Sequence, residues 1–169
     1  MSNTRLTAER LRELLDYDPE TGIFTYKTKR GIQLPGSIAG SKMVRGNWSI
    51  GLECRRHSAH RLAWLYMTGK WPTLEIDHID NNPLNNSWAN LREVTSGQNS
   101  QNLRAPRKDN RSGYLGVYRH GKNKRGDDVW RSRIQVEGKV VHLGLFPSPE
   151  LAHEAYVAAK RTLHPYGNL

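Results

Sequence analysis

Glu75-Ile-Asp-His-Ile-Asp-Asn-Asn-Pro-Leu-Asn-Asn-Ser-Trp-Ala-Asn-Leu-Arg-Glu-Val-Thr-Ser-Gly-Gln-Asn-Ser-Gln-Asn102 is the stretch on which the reading of this chain turns. Ile76-Asp77-His78-Ile79 reads as a short strand whose alternation sends Asp77 and His78 to opposite sides. An Asn-, Pro- and Ser-rich loop follows, in which Asn81, Asn82, Asn85 and Asn86 read as loop formers. Asn90-Leu91-Arg92-Glu93-Val94 reads as the returning strand. Thr95 and Gln98 have the spacing of a capping box, which predicts a helix starting there with Asn99 and Asn102 on one face. Strand, loop, strand and helix in that order gather a His, a carboxylate and a helix-borne amide around one point.

Upstream, Leu6-Thr7 followed by Leu11, Leu14 and Leu15 predicts a short helix with Thr7 as N-cap and Leu6 and Leu11 as a hydrophobic staple. Asp18 to Gly22 is turn chemistry, and Ile23 to Tyr26 alternates like a strand. Gly36 to Gly46 reads as loop, and Asn47 to Ile50 with Glu53 to His57 as a hairpin. A helix is expected from about His60 to Met67, with Thr68-Gly69 closing it and Leu62, Ala63, Leu65 and Tyr66 in the core. His60 reads either as a helix residue near the motif or as a buried one.

Downstream, Leu103 to Gly113 turns basic, polar and rich in breakers, the composition of a linker. The expected organisation is an N-terminal region over 1–102 with its motif core at 75–102, a basic linker at 103–112, and a second module at 113–169. In that module Leu115 to His120, Trp130 to Val136 and Val140 to Phe146 read as three strands. Ser148-Pro149-Glu150 starts a helix, with an N-cap Ser, Pro at the first helical position and an acid in the first turn. Leu151, Ala152, Ala155, Tyr156 and Ala159 form its apolar stripe. The fold class expected is α+β.

The chain has 26 Lys and Arg against 16 Asp and Glu, a net charge of +10. That imbalance favours a polyanionic partner, since each phosphate neutralised releases counterions. Residues 1–102 carry +3 and residues 103–169 carry +7, which suggests chemistry and binding divided between two modules. The most apolar stretch, Leu62 to Met67, is too short to span a membrane. With one cysteine, Cys54, an internal disulfide and a multi-cysteine zinc site are both excluded. The N-terminus shows no apolar signal region, so the expected compartment is the cytoplasm.

Asp77-His78, Asn90-Leu91-Arg92 and Asn99 resemble, in type and spacing, the HNH (ββα-metal) endonuclease signature of phage and homing nucleases. His60-Arg61-Leu62-Ala63-Trp64 through Gly69-Lys70-Trp71-Pro72 is similar to that family's lead-in helix. The resemblance implies His78 as general base and Asn90 as the brace that aims it. It implies Asp77 and Asn99 as ligands of one divalent metal, magnesium first and manganese as the alternative. Histidine suits the base because its ordinary pKa lies near neutrality. Oxygen ligands suit a hard cation.

Ser112 to Tyr118, Trp130 to Ile134, His142 to Phe146 and Glu150 to Ala159 resemble the APETALA2-type DNA-binding domain, which lays a three-stranded sheet in the major groove. Alternation puts Trp130, Ser132, Ile134 and Val136 toward the helix and Arg131, Arg133 and Gln135 outward. Tyr118, His120, Val140 and His142 are expected outward as well, and Val141, Leu143 and Leu145 inward. Arg pairs with guanine and Gln with adenine, while Lys122, Lys124 and Arg125 in the hairpin loop suit phosphates. The resulting expectation is a site-specific, phage- or bacterium-encoded nuclease on double-stranded DNA, acting as a monomer away from membranes. Its rivals are a non-catalytic DNA-binding protein and a module directed at RNA.

Overall fold

The computed structural model describes residues 6–44, 46–102, 105–106 and 109–167, and the elements are mixed α and β. The chain forms two compact units, Met1–Val94 and Thr95–Leu169. The first opens with α1 (Ala8–Leu14), capped by the Thr7 hydroxyl, which accepts the Arg10 N–H at 3.2 Å. Leu6 and Leu11 beside this cap are both buried. The sequence reading carries the helix through Leu15, but there the backbone becomes extended (φ −132°, ψ 148°) and begins β1 (Leu15–Tyr17). β1 pairs antiparallel with β2 (Phe24–Tyr26), so strand pairing wins over helix propensity at Leu15.

The turn between them is tied by Asp18, whose carbonyl accepts the Gly22 N–H at 2.8 Å and whose Oδ1 accepts the Glu20 N–H at 2.9 Å. Gly22 sits at φ +73°, and a Cβ there would stand 2.2 Å from the carbonyl carbon of Asn86. Only glycine lets this turn lie so close against the motif loop.

A second sheet runs β3 (Ser41–Lys42), β4 (Trp48–Leu52) and β5 (Arg55–Ser58), all antiparallel. β3 lies in the segment read as loop, since two residues of pairing leave no periodicity to detect. Glu53 and Cys54 connect β4 to β5 at φ 49° and 62°, the two left-handed residues of a tight hairpin turn. α2 (Ala59–Thr68) follows and ends at Gly69, φ 76°. Its Ala59, Leu62, Ala63 and Leu65 join Leu11, Leu15, Phe24, Ile50 and Leu52 in one core. β6 (Glu75–His78) and β7 (Leu91–Val94) form the motif hairpin, with a 3₁₀ turn at Trp88–Asn90.

The second unit starts with α3 (Ser96–Gln101), whose Thr95 and Gln98 make the reciprocal capping box. Of the expected linker, Leu103, Arg104, Arg107 and Lys108 lie outside the described residues. β8 (Val117–Lys122), β9 (Asp128–Val136) and β10 (Lys139–Phe146) form an antiparallel sheet with β9 central. α4 (Pro149–Leu163) packs on it, capped by Ser148. The buried helix positions are Ala152, Tyr156 and Lys160, spaced four apart. Leu151 departs from the expected stripe and is exposed, because it sits a hundred degrees round from Ala152.

Val117, Ser132 and Ile134 face the helix and are buried. On β10 the pairing shifts between His142 and Gly144, so Leu145 lies opposite Arg131 and is 55% exposed. The inward placement expected for Leu145 is therefore overturned: a β-bulge adds one residue and reverses the alternation beyond it.

Gly22→Ala should destabilise the protein by roughly 1–3 kcal/mol, the range for an overpacked site, with the left-handed backbone adding to it. Urea unfolding at matched m-values measures this. Wild-type stability in the variant would show that the turn does not bear on Asn86.

Candidate active site

The motif hairpin sets Asp77 opposite Arg92 and His78 opposite Leu91. Asp77 and Arg92 therefore share one face, and His78 shares the other with the buried Ile76 and Leu91. His78 is itself only 9% exposed, and its Nε2 lies 3.1 Å from Asn86 Oδ1. An amide oxygen can only accept, so in this contact Nε2 is the donor.

The His60 ring on α2 meets His78 edge to face, with centroids 5.1 Å apart. Burial first, then the neighbouring His78 and Arg61, pushes the His60 pKa down to about 4. Its Nδ1 is buried and has no hydrogen-bond partner among the described residues. A neutral imidazole therefore flanks His78 near neutral pH.

Asn90 closes the loop between the strands from inside. Its Oδ1 accepts the Asp80 N–H at 3.0 Å, and its amide donates to Asp80 Oδ1 at 2.9 Å and to the Asn85 carbonyl at 2.8 Å. Burial pushes the Asp80 carboxyl up. Donors from Asn82, Asn85 and Asn90, with the nearby His78 charge, outweigh that and hold it below its usual value. Asn85 adds a bond to Asp80 Oδ2 at 2.7 Å. From outside, the Tyr17 hydroxyl donates to the Asn86 carbonyl at 2.7 Å and the Trp88 N–H to the Pro19 carbonyl at 2.8 Å. Trp88 also packs on Trp64 of α2, ring centroids 5.1 Å apart.

Asp77 is buried, and its Oδ2 accepts from Arg92 Nε at 3.0 Å and Nη2 at 2.8 Å. A carboxylate has two oxygens and about four acceptor positions, so one guanidinium does not exhaust it. Among the described residues no group of three or more His, Cys, Asp or Glu could hold a metal. The donors that the motif offers are one carboxylate and amide oxygens. Such a set fits a hard cation that keeps several waters, not one that needs a full cage of protein ligands. Asn99 lies half-buried on α3 of the second unit, and Asn102 at the end of that helix is fully buried.

On the second unit's sheet, the register brings Tyr118 opposite Arg131, His142 opposite Arg133 and Val140 opposite Gln135. These side chains share the face away from α4. The Arg133 guanidinium lies over the Tyr118 ring, 4.1 Å from its centroid, which holds it flat against the sheet. His120 falls at a second bulge, between Arg119 and Gly121, and is exposed. Lys122, Lys124 and Arg125 cluster at the exposed β8–β9 turn, where Asn123 Oδ1 accepts the Arg125 N–H at 2.8 Å. Leu145 joins the face through the β10 bulge.

The sequence marks Asn86 as a loop former with at most a contact to DNA phosphate, and His60 as either a helix residue near the motif or a buried one. Its run of five asparagines between 81 and 90 hides which one turns inward. The placement of His60 depends on α2 packing over β6, which no local pattern encodes.

Residues 57–101 match the family of HNH endonucleases. Protein 3.8 of Escherichia phage T7 is 37% identical over 81 residues, covering 47% of this chain and 63% of that protein. The match thus spans less than two thirds of the relative's length. No solved structure matches the chain. Residues 57–101 are thus similar to an HNH endonuclease domain, and nuclease activity is what that family's description names.

Asn90→Ala should cost about 2–3 kcal/mol, because it removes three hydrogen bonds whose partners, Asp80 and Asn85, are partly buried. Denaturant unfolding checks this, and Asn90→Asp should not restore the loss, since it cannot donate to Asp80 or Asn85. A variant as stable as wild type would show that the loop holds without this tie.

Proposed function

We propose that this chain is a metal-dependent endonuclease that hydrolyses a phosphodiester bond in double-stranded DNA. The observation that carries the reading is the His78 imidazole, buried on a short strand within the HNH-matched residues, with its Nε2 committed to Asn86. In this reading the imidazole of His78 supplies the base. In the proposed step His78 takes a proton from a water as its oxygen bonds to phosphorus and the P–O3′ bond breaks. Asn90 keeps the loop closed so that the imidazole does not swing. Asp77 and Asn99 would hold one divalent cation, magnesium or manganese, whose charge stabilises the phosphate and the departing 3′ oxygen. His60 stays neutral beside His78 and adds no competing charge.

The second unit is proposed as the reader of the DNA site, in the manner of the APETALA2-type domain it resembles. Arg131, Arg133 and Gln135 would meet base edges, with Tyr118, His120 and His142 flanking them. Lys122, Lys124 and Arg125 would meet phosphates. The phage source of the similar protein supports a phage-encoded setting. One His78-centred site suggests a monomer that nicks one strand of an asymmetric target.

His78→Ala should lower magnesium-dependent nicking of plasmid DNA by about 10²–10⁴-fold, the usual contribution of a general base, while leaving DNA affinity near wild type. Cleavage at the wild-type rate would sink the assignment. Asp77→Asn should raise the magnesium concentration needed for half-maximal cleavage. An unchanged requirement together with lowered stability would assign Asp77 to Arg92 alone.

A further inference from the structure

Residues 27–56 carry seven Lys and Arg against one acid, Glu53, whereas residues 57–102 carry three against four. The segment that bears the motif therefore has no net attraction for a polyanion. Within the first unit that attraction belongs to the residues just before it, and the second sheet presents part of them.

On β4, Ile50 and Leu52 point into the core, so Ser49 and Gly51 point the other way. Across the register Ser58 lies opposite Ser49 and Arg56 opposite Gly51. Ser49, Arg56 and Ser58, with Met43, Val44 and Asn47, line an open concavity of about 390 Å³. Its lining holds one cation, two hydroxyls and an amide, and no carboxylate. The nearby acid Glu53 is turned toward Arg10, 3.3 Å away. The Arg56 guanidinium reaches Met43 Sδ at 3.1 Å, a weak acceptor, and makes no ion pair among the described residues. Ser58 stands at the N-cap of α2, yet its hydroxyl makes no capping bond.

The concavity adjoins the motif on two sides. Gly46, in the turn that forms one wall, lies against the motif loop: a Cβ there would stand 3.9 Å from Pro83 Cγ. Ser58 is two residues from His60, whose ring meets His78.

We propose that this concavity is a second DNA-backbone site, taking a phosphate of the duplex beside the one that is cleaved. Arg56 supplies the charge, and Ser49, Ser58 and Asn47 supply hydrogen bonds. The inference rests on the nuclease reading and goes beyond it, since neither the motif nor the second unit's sheet includes these residues. A shallow, polar, open hollow suits a phosphate on a rod-like polymer rather than an enclosed apolar ligand.

The test measures binding of the full chain to a labelled DNA duplex in EDTA, so that no cleavage intervenes, over a range of salt. Arg56→Ala should weaken binding severalfold at low salt and flatten the log K against log salt slope by about 0.9, the share of one phosphate contact. Arg56→Lys should keep the slope. Arg10→Ala removes the same charge away from the concavity and should leave the slope alone. If wild type fails to bind duplex DNA, the nuclease reading falls. If wild type binds and Arg56→Ala matches it in slope and affinity, only the concavity is overturned. An equal flattening by Arg10→Ala would reduce the effect to net charge and overturn it too, as would competition by duplex RNA stronger than by DNA. Arg56 is exposed, and thermal unfolding of each variant confirms that the comparison is between folded proteins.

Discussion

The contact on which the site depends is that between the β1–β2 turn and the chain at Asn86 to Trp88. The Tyr17 hydroxyl fixes the Asn86 carbonyl, Pro19 accepts the Trp88 N–H, and Gly22 closes to a distance that no side chain would permit. Burial pushes the Tyr17 pKa up, so the hydroxyl keeps its proton and its part as donor. A hairpin of two four-residue strands joined by a long polar loop would be marginal by itself. Pinned from outside by the turn and from inside by Asn90, the loop holds the amide oxygen that orients His78. The HNH match begins at residue 57, so this outer brace lies well upstream of the recognisable domain.

β6 separates two kinds of chemistry by its pleat. On one side His78 sits among apolar neighbours, a neutral His60 and the amide oxygen of Asn86. On the other, Asp77 and Arg92 form a charge pair with little exposure. Removing the Arg92 guanidinium would take two hydrogen bonds from a buried carboxylate, a larger loss than breaking one of the exposed pairs of this chain. Adjacent residues thus work in different electrostatic surroundings without any longer-range partition.

Much of this was legible in the sequence, and for identifiable reasons. The Thr7 cap, the Thr95–Gln98 box, Gly69 and the Ser148–Pro149 start are local devices, and local devices leave local marks. The opposed directions of Asp77 and His78 follow from strand geometry alone. What escaped was long-range or very short. β1 and β3 are too brief for periodicity, the partnership of Asn86 with His78 depends on a loop folding back, and the close approach of Gly22 joins residues more than sixty positions apart. The pairing of His60 with His78 needed α2 to be placed over the hairpin. On the sheet of the second unit the strands are plain in the sequence, but the alternation rule fails at the first irregular residue pair.

That irregularity has a consequence for how the sheet tolerates change in length. Before the bulge, β10 sends Val140 and His142 to the Arg-bearing face; beyond it, Leu145 takes that face and Phe146 sits beside Trp130. The extra residue acts as a parity switch, so the two halves of one strand keep opposite conventions. Loss of a single codon at Leu143 or Gly144 would remove the bulge and keep Leu145 opposite Arg131 by plain alternation, whereas straightening the strand at its full length would carry Leu145 toward the helix and Phe146 out beside the arginines, although no charged residue had been touched. The chemical character of that surface is therefore written partly in residue count, and an alignment scored by residue type alone would pass over it.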